Sequence, residues 1–121
     1  MIYVKTNADG AEYPAMISGK MVDREWDNRE SKAVTLEMTY AEAAEIFVDG
    51  LSWSIVQREI VPVEDAQGAL AQQEQVEQWD NSDFCVAGTI TDNRDGTVTC
   101  KMGKKTASDV LAELEAAYDG N

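Results

Sequence analysis

Between Ala33 and Ile60 the chain reads AVTLEMTYAEAAEIFVDGLSWSIVQREI, and its hydrophobic period changes twice. Val34, Leu36 and Met38 alternate with Thr35 and Glu37, the period of two of a strand buried on one face. Thr39 and Glu42 have the spacing of a capping box, in which hydroxyl and carboxylate each satisfy the other residue's backbone N–H. A helix is therefore predicted over about 39–49, with Tyr40, Ala43, Ala44, Phe47 and Val48 on its apolar side and Asp49-Gly50 at its end. Leu51, Trp53 and Ile55 then alternate with Ser52 and Ser54 as the next strand. Leu36, Phe47 and Trp53 should meet in one core.

Upstream, Met1 to Thr6 predicts a strand, Asn7-Ala8-Asp9-Gly10 a turn, and Tyr13, Ala15, Ile17 and Met21 a second strand. Pro14 argues that this second strand lies at an edge or that Pro14 falls among its first residues. Val56 to Val61 continues the strand begun at Leu51, and Pro62 is read as its end. Over 63–82 the Gln, Glu and Ala content favours helix, yet Leu70, Val76 and Trp79 make no full stripe. Asp65-Ala66-Gln67-Gly68 suits a hairpin turn, so this stretch is read as a polar flap or loop.

Phe84 to Thr91 and Thr97 to Met102 predict a hairpin around Asp92-Asn93-Arg94-Asp95-Gly96. With Ile90 opposite Val98, Cys100 points inward opposite Gly88, roughly 10 Å along the strand from Cys85 and beyond disulfide reach. Two free thiols are expected, as in a reducing compartment. Asn93, Asp95 and Gly96 match part of a calcium loop, but Thr91 and Met102 stand where its first and last carboxylates belong. A last helix is expected at about 107–118, capped by Thr106 or Ser108 and closed by Gly120-Asn121. Its stripe of Val110, Leu111, Leu114, Ala117 and Tyr118 should pack on the sheet or form a dimer contact.

These elements make one α+β domain over residues 1–121. Its mainly antiparallel sheet has five or six strands, with one helix after the third strand and one at the C-terminus. At 44% hydrophobic residues, 121 residues can hold a single core. The amino terminus carries no signal-like apolar run and no segment approaches a membrane span, so a cytoplasmic protein, carried in the virion if it is a virion part, is expected.

The net charge is −13, and it is unevenly spread. Residues 1–32 hold six acids and five bases, 33–63 five and one, and 64–83 six and none. Residues 84–105 reverse to two acids and four bases, and 106–121 hold four acids and none. Such a field repels nucleic acid, so direct nucleic-acid binding is not expected. An acidic mimic of DNA that blocks a host nucleic-acid enzyme remains the alternative to a merely solubilising surface. The chain has no histidine, which removes Ser-His-Asp and Cys-His constellations. Without a Walker loop, dinucleotide fingerprint or CxxC, no catalytic, cofactor or metal site is expected and no enzyme is inferred.

Asp23 to Ser31 is dense in charge around one tryptophan. Arg24, Trp26, Asp27 and Arg29, with Trp79 further on, are the candidate partner-binding residues, because tryptophan and arginine are enriched at the energetic centres of interfaces. The same loop could be an ordinary connection whose tryptophan covers the edge of the core.

Two stretches, ISGKMVDREWDNRESKAVTLEMTYAEAAEIFVDGLSWSIV (17–56) and DNSDFCVAGTITDNRDGTVTCKMGK (80–104), together resemble uncharacterised small prophage-encoded proteins of gut Firmicutes, set among virion structural genes. The resemblance covers a little over half the chain and transfers no site residues. It implies a phage structural or accessory protein, tail-related, whose partners are copies of itself or other phage structural proteins in a homo-oligomer.

Overall fold

In the computed structural model residues 1–119 are described, and the expected closure of the last helix by Gly120-Asn121 lies outside them. The fold is α+β with a mainly antiparallel sheet, as the alternating pattern predicts, but the sheet has eight strands rather than five or six. In chain order they are β1 (Ile2–Thr6), β2 (Ala11–Ile17), β3 (Met21–Asp23), β4 (Arg29–Glu37), then helix α1 (Tyr40–Ile46), β5 (Trp53–Glu64), β6 (Leu70–Asp80), β7 (Val86–Asp92), β8 (Thr97–Gly103) and helix α2 (Ala107–Asp119). Met21, read as part of the second strand, instead opens a separate strand, Met21–Asp23, that pairs with the start of β4, and 63–82, read as a polar flap or loop, extends β5 and folds back on it as β6.

The strand order is β6-β5-β1-β2-β4-β8-β7, with β3 beside β4. β2 is not an edge strand, contrary to the first of the two expectations from Pro14: residues 11–14 pair with β1 and 15–17 with β4. Ser18 N–H donates to Ala33 O, so the even-numbered residues of β2 turn their N–H groups toward β4. That ladder begins at Ala15, and Pro14 falls just past its end, where no donor is needed. Pro62, read as the end of β5, lies inside it for the same reason. Arg58 N–H bonds Met1 O, so even positions of β5 face β1, and β1 has run out before Pro62 is reached.

Leu36, Phe47 and Trp53 are buried in one cluster with Val4, Val34, Val98 and Met102. Trp53 Nε1–H donates to Phe84 O at 2.9 Å, giving the buried indole its one required partner. Thr39 and Glu42 form the predicted capping box. The helix is shorter than 39–49: Phe47 leaves helical geometry, and Gly50 takes φ +85°. Ala43 and Phe47 point into the core, whereas Tyr40 and Val48 are exposed. Tyr40 lies in the first turn of the helix and Val48 past the last.

The 84–102 hairpin has a different register from the expected one. Ile90 lies opposite Cys100 rather than Val98, and a bulge separates Ala87 from Ile90. At Ile90 the shift is two residues, so its face survives, but before the bulge the shift is one, and Ala87 rather than Val86 lies opposite Met102 and packs on the core. Cys85 and Cys100 are free thiols, and Cys100 is buried. Burial alone pushes the Cys100 thiol up to about 11.

Candidate functional site

The five candidate residues fall in two separate places. Trp26, Asp27, Asn28 and Arg29 form a tight turn in which Arg29 N–H donates to Trp26 O at 3.0 Å and Asp27 and Asn28 both take positive φ. Two successive left-handed residues define a type I′ turn, whose twist matches the β3–β4 hairpin. The turn brings the Arg29 guanidinium to 4.8 Å from the Trp26 ring. A Cβ added at Gly88 or Gly103 would meet the Trp26 ring at 2.7 or 2.9 Å, so the indole lies flush on the glycines of β7 and β8. Arg29 is buried and Trp26 half-buried, and both cover the outer side of the sheet. Arg24 and Asp27 are exposed on the rim of this turn.

Arg29 also fixes α2. Its Nη1 donates to Lys104 O at 2.7 Å and to Asp109 Oδ2. Asp109 in turn accepts from Thr106 N–H at 2.9 Å, while Thr106 Oγ1 accepts from Asp109 N–H at 3.2 Å. Thr106 is thus the cap, one of the two candidates. Arg29 first, and Thr106 N–H second, hold the Asp109 carboxyl at about 2. At 100° per residue, Asp109, Ala112 and Glu113 share one side of α2, and these line a cleft with Gly50, Cys85 and Val86. Val110, Leu111 and Leu114 lie on the opposite side and are 44%, 56% and 63% exposed. The expectation that this stripe packs on the sheet is therefore corrected. The helix is held by its polar side, and its apolar side faces solvent.

Trp79 belongs to the second place, the long arm formed by β5 and β6. It sits opposite Ile55 at the base of the arm and is 46% exposed. All eleven residues of β6 are exposed. Arg58 anchors the arm, bonding Glu12 through Nε at 2.9 Å and Nη2 at 2.7 Å, and Glu74 through Nη1 at 2.8 Å. Glu12 is held below the usual carboxylate range chiefly by that bond. Arg58 was missed in the sequence, although as the one base between Ala33 and Asp83 it carried a signal.

Two acids near the Trp26 turn are paired with lysines. Asp23 is held low by Lys101 at 2.7 Å and Glu30 by Lys104 at 3.3 Å, so both are ionised acceptors. Lys32 has its pKa lowered by burial and then by Lys104 and Lys20. Its ammonium lies 4.7 Å from the Phe84 ring and bonds Asn81 Oδ1 at 2.5 Å. An apolar groove of about 550 Å³ runs along Ile2, Tyr13, Ala15 and Met16, with Met16 77% exposed. Among the described residues, no helix is long and apolar enough to cross a membrane.

No protein-family model, curated protein or solved structure matches this chain.

Proposed function

We propose that this chain is a non-enzymatic assembly protein, a structural component of a phage-like element and of its tail in particular. It works by joining copies of itself or other phage structural proteins. The observation that carries this reading is the β5–β6 arm, an eleven-residue edge strand exposed throughout and standing clear of the core. A long bare edge is a template for pairing, which monomeric proteins ordinarily shorten or cover. The exposed apolar side chains of Val110, Leu111 and Leu114 on α2 add a second surface suited to a partner.

The alternative, an acidic mimic that blocks a nucleic-acid enzyme, needs its carboxylates in rows on one face. Strand alternation instead puts Glu59 and Glu77 on one side of the arm and Glu64 and Glu74 on the other. That division favours assembly.

The test is a mass measurement by light scattering over a wide concentration range, with and without purified virion proteins. It should be run beside a variant in which residues 60–74 are replaced by a short turn. Assembly that disappears in the shortened variant while the core keeps its circular dichroism is expected. A chain that stays monomeric and binds no virion protein sinks the reading.

A further inference from the structure

The open edge of β6 has a defined polarity. Asn81 N–H donates to Trp53 O at 2.8 Å and Asp65 N–H to Ala69 O at 2.9 Å, at the two ends of the β5–β6 ladder. Both bonds join odd-numbered residues, and opposed residues in an antiparallel ladder alternate between bonded and non-bonded pairs. The odd residues of β6 therefore bond to β5. The even ones, including Gln72, Glu74, Val76 and Gln78, turn their N–H and C=O groups outward, and among the described residues no strand meets them.

The opposite edge of the sheet is protected. Gly50 N–H donates to Cys85 O and Asp49 Oδ1 accepts from Ala87 N–H, both at 2.8 Å, so the turn after α1 covers the start of β7. The bulge between Ala87 and Ile90 then breaks its regularity. Among the described residues only the β6 edge is left long, regular and open.

Resting on the assembly reading above, we infer that β6 pairs antiparallel with β6 of a second copy across a two-fold axis at Gln75, joining two sheets into one. A two-fold axis at Gln75 overlaps all eleven residues of the strand. It sets Glu74 opposite Val76, Glu77 opposite Gln73 and Asp80 opposite Leu70, so no acid faces an acid. Moving the axis one residue toward the tip sets Glu74 against Glu74, which like charge disfavours.

The same register extends the apolar rows. Ile55 and Trp79 are neighbours within one copy, as are Val63 and Ala71. Across the axis Trp79 meets Ala71 of the second copy, giving the row Ile55, Trp79, Ala71, Val63 over four strands, and the axis generates it twice. This supplies a partner for the half-exposed indole of Trp79. Because six acids and no bases lie between Glu64 and Asp83, the two arms also repel one another at long range. The pairing must therefore strengthen as salt rises, the reverse of an acidic surface binding a basic partner.

The experiment uses the full chain. Light scattering should give twice the 13.3 kDa chain mass at high concentration, with the dimer fraction growing between about 0.1 M and about 1 M NaCl, as the screening length falls from about 10 Å to about 3 Å. In a Cys85→Ser background, Gln75→Cys should form a disulfide-linked dimer on mild oxidation. Its Cα atoms would meet at about 4.5 Å in a non-bonded pair, within disulfide range. Gln73→Cys, opposite residue 77, should not cross-link. Val76→Pro removes only an outward N–H and should give a monomer with unchanged circular dichroism. A native chain that is monomeric throughout overturns the inference, as does equal cross-linking of both cysteine variants. An oligomer that survives Val76→Pro without the Gln75→Cys cross-link also overturns it, while leaving assembly through another surface intact.

Discussion

Arg29, buried on β4, reaches across the sheet end to Asp109 in the first turn of α2, donating from Nη1 to the carboxylate. The pair ties the one helix with an outward apolar side to the most covered arginine in the chain. Because Arg29 holds Asp109 at about 2, below the ordinary carboxylate value of 3.8, the contact contributes stability at and above that ordinary value. That contribution is lost as pH falls through about 2. Trp26 fluorescence should therefore be flat from neutral pH to about 4 and change as acid is added toward 2. In Asp109→Asn that acid-dependent change should shrink to the part that Asp23 and Glu30 contribute, and the latch is weakened at all pH values.

The flush contact between Trp26 and the β7–β8 glycines sets a steric test. At Gly103 an added Cβ would collide with Arg29 Cδ and lie 2.9 Å from the indole. Gly103→Ala should cost about 1–3 kcal/mol, read as a lower urea midpoint, because the ring and guanidinium must shift together. Gly19→Ala, with nothing within 4 Å of its Cβ, is the matched control and should be near neutral.

Trp53 joins the two halves of the sheet through its bond to Phe84 O. Trp53→Phe keeps a ring in the core but leaves that buried carbonyl without its donor. A loss of about 1–3 kcal/mol in urea denaturation is expected.

The thiols should differ sharply in alkylation. Cys100 is buried and its thiol is pushed up to about 11, so it stays protonated at neutral pH and reacts only on unfolding. Cys85, half-buried, should label in the native state. Mass spectrometry of native and urea-treated protein should find one adduct and two, respectively.

Arg58→Ala should loosen the arm and spare the core. Its bonds to Glu12 and Glu74 link β5 to β2 and to β6, so amides of 59–64 and 70–76 should exchange several-fold faster while those of β4 and β8 are unchanged. In protein dilute enough to stay monomeric, high salt should produce part of the same effect, because these side chains are partly exposed.

The core was readable because its signals are local. Alternation at Val34 and Leu36 and at Trp53 and Ile55, the Thr39-Glu42 box and the turn at Asn7 to Gly10 each act over a few residues, and each is found in place. Pro14 and Pro62 misled for a common reason. A proline is excluded only where its missing N–H had a partner, and the partner's length is set elsewhere in the chain. Of the candidate contacts, Arg29 and Trp26 proved to be covered because each packs against β7, β8 or α2, some sixty to eighty residues away in sequence.

By itself, the sequence determined a single α+β core with its apolar faces, its free thiols and a strongly acidic exterior. Tertiary structure decided that the 63–82 flap pairs along its full length with β5 as an arm of the sheet, that β7 is covered while β6 is open, and that α2 turns its stripe outward. Periodicity specifies that a face exists, and neighbouring residues suffice to specify it. What lies against that face depends on which distant strand or helix arrives there, and the same stripe on α2 would read identically buried or bare.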